Sequence, residues 1–292
     1  MEKLKGLGVA MVTPFTNEKE VDYNALEKLT NHMIDGGVDY LVVMGTTGEA
    51  VTLSKTEQQD VLDFIIKINN NRLPIVFGIG GNDTKTLVES YHSFNLEGVD
   101  AILSASPNYN KPSQEGIYQH YKYLAENMNH PIILYNVPGR TASNVLPSTI
   151  IRIASEFKSI VAVKEASGNI MQVMELIENK PKGFLVISGD DALTLPFISC
   201  GADGLISVIG NALPVETKSL VSNSLKGDFE TARVSHYKLL GLIEGIFADG
   251  NPAGVKELLN EMDIMKTDVR LPLVNVNSGV QNTLKNLLKG LK

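Results

Sequence analysis

Cysteine is almost missing from this chain: Cys200 is the single one in 292 residues. That excludes an internal disulfide framework and a thiolate metal cluster, and Cys200 itself, beside Gly201 on an apolar segment, reads as a core residue. The five histidines fall on helical or loop segments without H-x-H or H-E-x-x-H spacing, so no metal site is expected. Blocks of like charge are also missing. The formal net charge is −7, which makes nucleic acid a poor partner, because affinity for phosphate backbones comes from clustered Lys and Arg. No apolar run approaches the ~18 residues needed to cross a bilayer, so no membrane association is expected. Lys3 and Lys5 mimic the start of a signal peptide, but the short apolar run behind them ends at Thr13-Pro14 with no A-x-A-like cleavage site. A soluble cytoplasmic protein is expected.

What is present is a globular composition, 43% apolar and 20% charged, with 25 Gly and 12 Pro. Such a chain can bury a large core without disulfides or metal. Short runs that are apolar on both parities mark buried parallel strands. They are Leu7–Val12, Tyr40–Met44, Pro74–Ile79, Ala101–Ala105, Pro131–Tyr135, Ile160–Val163, Phe184–Ser188 and Gly204–Val208. Helical stripes lie between them. Tyr23, Leu26, Leu29 and Met33 form one, opened by Asp22; Ser54 and Glu57 make a capping box ahead of another. Shorter helices fit 147–157, 169–179, 191–200 and 214–223. Eight βα units in series predict a (β/α)8 TIM barrel, with an open doubly wound sheet as the rival. The rival usually carries a G-x-G-x-x-G turn after its first strand, whereas this chain has Val12-Thr-Pro-Phe-Thr16. Beyond about residue 225 no strand candidate remains, and Leu239–Phe247, Val255–Met262 and Val280–Leu288 read as helices. The expected organisation is therefore a catalytic barrel over 1–225 and a C-terminal helical extension over 226–292.

Barrel enzymes keep their chemistry on the loops that leave the C-terminal ends of the strands. Those positions here are rich in hydroxyl and ionisable groups, while the strand bodies are apolar. Lys164 follows Ile160-Val-Ala-Val163, which puts an amine at the rim of an apolar barrel. Desolvation favours the neutral amine, the form that attacks a carbonyl; the plainer alternative is a stem that packs and a head that reaches water. Gly45-Thr-Thr-Gly-Glu49 can point several N–H groups at a carboxylate, or can be an ordinary turn. Tyr135 ends its strand and could pass protons; Arg140 could bind a substrate carboxylate or make a surface ion pair. Glu49, Glu165, Asp190 and Asp191 form a competing set. Two carboxylates across a barrel mouth can hydrolyse a glycoside or hold Mg²⁺, although Asp190 and Asp191 equally suit the cap of the following helix.

Taken in order, five motifs resemble the pyruvate-dependent class I aldolase and lyase superfamily, and within it the dihydrodipicolinate synthase family. They are Gly45-Thr-Thr-Gly-Glu49, Tyr135-Asn-Val-Pro-Gly-Arg-Thr141, Val163-Lys-Glu-Ala-Ser-Gly-Asn169, Ser188-Gly-Asp-Asp191 and Gly204-Leu-Ile-Ser-Val208. The likeness spans nearly the whole chain. It implies a barrel with a helical C-terminal part, and condensation of pyruvate with aspartate semialdehyde to 4-hydroxy-tetrahydrodipicolinate, on the way to diaminopimelate and lysine. It makes Lys164 the Schiff-base lysine and Tyr135, Thr46 and Tyr109 a proton relay, with Tyr109 reaching into a neighbouring subunit's site. It gives Thr46 and Thr47 the pyruvate carboxylate, Arg140 the carboxylate of the second substrate, and the carbonyls of Gly189 and Ile206 a place in the pocket wall. It implies no metal or organic cofactor and a homo-oligomer, dimer or tetramer. Sialic-acid lyases and 2-keto-3-deoxy sugar-acid aldolases share the lysine and the tyrosine, so they stay as alternatives, although Thr46 and Pro138-Gly-Arg-Thr141 favour the synthase. A hydrolase built on the carboxylates and a ligand-binding descendant of an aldolase are the readings from other classes. One departure stands out. Lysine-inhibited members carry Ser, His, His, Asn, Glu and Tyr where this chain has Ala50, Lys55, Gln58, Asn82, Thr86 and Asn108. Weak or absent feedback by lysine is expected.

Overall fold

A computed structural model describes residues 2–291. Its strands are β1 (Gly6–Ala10), β2 (Tyr40–Val43), β3 (Ile75–Gly78), β4 (Ala101–Ala105), β5 (Ile132–Asn136), β6 (Ile160–Glu165), β7 (Leu185–Ser188) and β8 (Gly204–Ser207). All pair in parallel in chain order, and β8 pairs with β1 to close the barrel. The helices between them are α1 (Tyr23–Asp35), α2 (Lys55–Asn69), α3 (Thr84–Ser93), α4 (Gln114–Asn127), the short α5 (Pro138–Thr141), α6 (Pro147–Glu156), α7 (Ile170–Asn179), α8 (Thr194–Ser199) and α9 (Pro214–Leu225). Then come α10 (Phe229–Phe247), α11 (Ala253–Asn260) and α12 (Ser278–Leu291). The fold is the TIM barrel expected from the βα alternation. Among the described residues no helix is long and apolar enough to cross a membrane.

Strand parity divides the apolar residues into two shells. Ala10, Tyr40, Val42, Val76, Leu103, Ile133, Ala162, Ile187 and Ile206 fill the barrel, with Leu4 joining them from the N-terminal turn. Their neighbours of opposite parity, such as Leu7, Val9, Leu41, Val43 and Phe77, pack outward against the helices. Gly8 belongs to the inner set for want of space: a Cβ there would lie 2.2 Å from the Tyr40 ring. Inside the strand pair β5–β6 the register slips between Ile132 and Ile133, so Ile132 pairs with Ile160 but Ile133 with Ala162. That extra residue sets β6 so that Ala162, and therefore Lys164, faces the barrel axis.

The helical extension does not stand apart. Ala232, Leu239, Leu242, Ile243 and Ile246 of α10, and Val255, Leu258 and Leu259 of α11, are buried in the same outer core as the barrel helices. Gly254 lets α11 start against α10, since a Cβ there would fall 2.1 Å from the Ile246 carbonyl oxygen. Two details depart from the sequence reading. β6 runs on through Lys164 and Glu165, because both pair with β5 and β7 despite their polarity. The helix expected over 191–200 spans only Thr194–Ser199; Cys200 is its C-cap and is half-buried, not a core residue.

Candidate active site

Lys164 stands in β6 between Tyr135 of β5 and Ile187 of β7, at the C-terminal end of the barrel. Its residue is 6% exposed, and Nζ lies 4.4 Å from the centre of the Tyr135 ring. Among the described residues the amine makes no ion pair, so no carboxylate neutralises it in place. Gly189, just past β7, supplies the space. A Cβ at 189 would sit 2.8 Å from Ala166 Cβ and 3.0 Å from Lys164 Cε. Ile206 of β8 closes the barrel interior below, 1% exposed.

A cavity of about 550 Å³ opens at this end of the barrel, and Thr46, Leu103, Ser106, Tyr135 and Arg140 line it. Arg140 is carried by α5, which Pro138 starts directly after β5. Its guanidinium is exposed and has no carboxylate partner among the described residues. Thr46 opens a 3-10 turn, Thr46–Gly48, that follows β2. The turn is tied down on both sides. Thr13 Oγ1 donates to the Gly48 carbonyl at 2.7 Å, and Asn251 Nδ2 donates to Thr47 Oγ1 at 2.9 Å. Thr47 is thereby buried and is not among the residues that line the cavity, while Thr46 is exposed to it. Tyr109 lies off the cavity wall altogether. It is 90% exposed and sits in left-handed backbone at φ +61°, an unusual posture for a bulky residue. Lys55 and Gln58 line the outer end of the cavity; Lys55 donates to Ser93 and Gln58 to the carbonyls of Ala50 and Leu53.

The four carboxylates considered as a rival set do not converge. Glu165 has the opposite parity from Lys164 and is wholly buried behind the sheet. There it accepts from Asn136 Nδ2 at 2.9 Å, Gln172 Nε2 at 3.0 Å and the Ser167 amide at 2.7 Å. Glu49 turns away from the mouth in left-handed backbone, φ +55°. It meets Lys256 Nζ at 2.6 Å, with both side chains essentially inaccessible, and accepts from the Arg270 amide at 3.0 Å. Burial lowers the Lys256 ammonium to about 8. Asp190 accepts the amides of Ala192 and Leu193. Asp191 accepts Ser207 Oγ at 2.5 Å and the Val208 amide at 2.9 Å, joining the ends of β7 and β8. Burial pushes its carboxyl up to about 6. Neither aspartate is the N-cap of α8; that position is Leu193, with no side-chain cap. The helix begins later than the sequence reading placed it, and the two acids stabilise the turn before it.

Sequence reasoning did not find Asn251, Lys256 or Arg270. All three come from the region beyond 225, where no strand tip flagged them. Arg270 also grips Glu57 at 2.5 Å, and Glu57 with Ser54 forms the capping box of α2 that the sequence predicted. The extension thus holds the Thr46–Gly48 turn through Asn251, its next residue Glu49 through Lys256, and the start of α2 through Arg270.

Residues 3–291 match the model of the dihydrodipicolinate synthetase family. The chain is 51% identical to the 4-hydroxy-tetrahydrodipicolinate synthase of Flavobacterium psychrophilum, over 100% of this chain and 99% of that protein. It is 49% identical to the enzyme of the same name from Parabacteroides distasonis, covering 99% and 97% of the two chains. Among solved structures it is similar to the chloride-inhibited dihydrodipicolinate synthase of Acinetobacter baumannii complexed with pyruvate. That likeness has a TM-score of 0.95 and 39% identity, and covers 99% of each chain.

Proposed function

The chain belongs to the dihydrodipicolinate synthetase family, and on that premise we propose that Lys164 is the amine through which it works on pyruvate. It is a lyase that condenses pyruvate with aspartate semialdehyde to 4-hydroxy-tetrahydrodipicolinate, in diaminopimelate and lysine biosynthesis. The observation that carries the lysine assignment is its burial: an amine without an ion-pair partner, facing the barrel axis beside Tyr135.

Lys164 Nζ adds to the ketone carbon of pyruvate and water leaves, giving an iminium that draws electrons from the adjacent methyl. Loss of a methyl proton yields an enamine, whose carbon attacks the aldehyde of the second substrate. The amino group of that substrate then adds to the iminium carbon and expels Lys164, closing the ring. Every step moves a proton. We assign that traffic to Tyr135, Thr46 and Tyr109: two of the hydroxyls border one cavity, and Tyr109, 90% exposed, is free to enter the site of a second copy. Thr46 and Thr47 take the pyruvate carboxylate. Arg140, exposed to the cavity without a carboxylate of its own, takes that of aspartate semialdehyde. We assign the carbonyls of Gly189, which packs against the Lys164 stem, and of Ile206 to the surroundings of the bound pyruvate. The oligomer this requires is a dimer or tetramer, and its setting is the cytoplasm.

Borohydride trapping with pyruvate tests the assignment, read by intact mass and peptide mapping. A stable adduct on Lys164, lost together with turnover in Lys164→Ala, is the expected result. A folded parent that traps nothing, or a Lys164→Ala variant of parental activity, rejects it.

A further inference from the structure

Asn251 lies in the turn between α10 and α11, far from any strand tip, yet its side chain reaches the barrel mouth. Its Nδ2 donates to Thr47 Oγ1 at 2.9 Å, with Asn251 7% and Thr47 3% exposed. A hydroxyl has one proton to give and two lone pairs to fill. Here the amide occupies a lone pair, so the Thr47 proton has to go elsewhere, and among the described residues the hydroxyl donates to no protein group. The carboxylate of an α-keto acid is the acceptor that suits it.

Packing alone does not explain an asparagine at this place. Its Oδ1 is buried with no hydrogen-bond partner, a cost that an apolar side chain of similar shape would avoid. The amide nitrogen is therefore the useful end. Its position is held on both flanks. Gly250 turns the chain at φ +91°, and α11 is anchored by the Lys256–Glu49 pair and by the close approach of Gly254 to α10.

We propose that Asn251 is a positioning residue for pyruvate: by donating to Thr47 Oγ1 it makes that hydroxyl an obligate donor toward the substrate carboxylate. The inference rests on the assignment of Thr47 made above. It separates shape from hydrogen-bond polarity. Asn251→Asp has nearly the same shape but, ionised, can only accept, so the Thr47 hydroxyl donates its hydrogen bond to it instead of to the substrate, and a negative charge is added beside the substrate's. Asn251→Ala merely leaves the hydroxyl unguided.

The test uses the full chain and two readouts: pyruvate dependence of the borohydride-trapped adduct, and steady-state kinetics. Asn251→Ala raises the half-saturating pyruvate concentration about tenfold, and Asn251→Asp raises it further. The KM for aspartate semialdehyde and the kcat at saturating pyruvate move less than about threefold, since Arg140 and Lys164 are untouched. In a Thr47→Val background, adding Asn251→Ala shifts pyruvate dependence by less than about twofold, because the bond is already gone. Parental pyruvate dependence in both Asn251 variants overturns the inference, and so does an Asn251→Ala penalty of equal size with and without the Thr47 hydroxyl. If Asn251→Ala does not fold, the near-isosteric aspartate decides: parental pyruvate affinity in Asn251→Asp is likewise fatal. A parent that yields no adduct removes the reading of Lys164 first; a parent trapped normally with unaffected variants removes only the role of Asn251.

Discussion

Gly189 and Lys164 share a space that a methyl group would contest. The 2.8 Å approach to Ala166 Cβ and 3.0 Å to Lys164 Cε leave the lysine as the more mobile neighbour. Gly189→Ala should therefore displace the Lys164 stem and, because Ala166 Cβ cannot move without its backbone, strain the turn as well. A fall in kcat/KM of about tenfold or more together with a lowered thermal midpoint is the expected outcome; unchanged kinetics would mean the stem has slack. Asp191 makes a different kind of prediction. Its buried carboxyl sits near pH 6 against an ordinary 3.8, so the folded chain holds that proton more tightly than the unfolded one. Folding gains from this below about pH 4 and loses the gain as the pH rises through 6. Asp191→Asn has no proton to lose. Its stability relative to the parent should climb by roughly 3 kcal/mol between pH 4 and 7, measured by denaturant melts of both proteins across that range. A flat difference would mean that the carboxyl is not shifted.

At the scale of elements, hydropathy made the strands legible because parallel strands covered on both faces are apolar on both parities. The same logic hid the end of β6. Lys164 and Glu165 keep ladder hydrogen bonds while pointing to opposite sides, and nothing in their side chains announces a strand. Lys164, Tyr135 and Thr46 could be picked out because a strand tip is a local feature. The partners of Thr47 and Glu49 could not, since Asn251 and Lys256 stand 204 and 207 residues away. Glu49 shows the price of local reading: as a bare carboxylate at a strand tip it resembled a catalytic acid, but it is one half of a buried ion pair. Removing only one member leaves an uncompensated charge, so Lys256→Met should destabilise the protein by about 3–5 kcal/mol. Pairing it with Glu49→Gln should recover much of that loss in a double-mutant cycle. Additive losses would show that the two groups are not coupled.

At the scale of the molecule, the three hydroxyls of the proposed relay do not meet within one chain. Thr46 and Tyr135 border the cavity while Tyr109, the third hydroxyl of the proposed relay, projects outward at 90% exposure. If Tyr109 serves a neighbouring copy, two crippled variants should repair one another. Lys164→Ala retains its tyrosine and Tyr109→Phe retains its lysine, so mixing the two under exchange conditions should restore activity well above either alone. A mixture no more active than its components would place Tyr109 in its own chain's site or outside the chemistry. The likeness to the family extends over residues 3–291, and the eight βα units and the helical extension were readable from periodicity, whereas the closure of β8 on β1 needed in addition the missing G-x-G-x-x-G turn to set the open sheet aside. The bracing between the first third of the chain and the last sixth was not, because no pattern within either segment encodes the other.

That bracing also orders events in time. A chain emerging from the ribosome delivers Lys164 early, and β8, which closes the barrel, only at residues 204–207. Asn251, Lys256 and Arg270 arrive later still. A nascent polypeptide can therefore possess all eight strands and Lys164 while the Thr46–Gly48 turn is still unsecured. A product cut short after β8 would carry Lys164 without the contacts of Asn251 and Lys256.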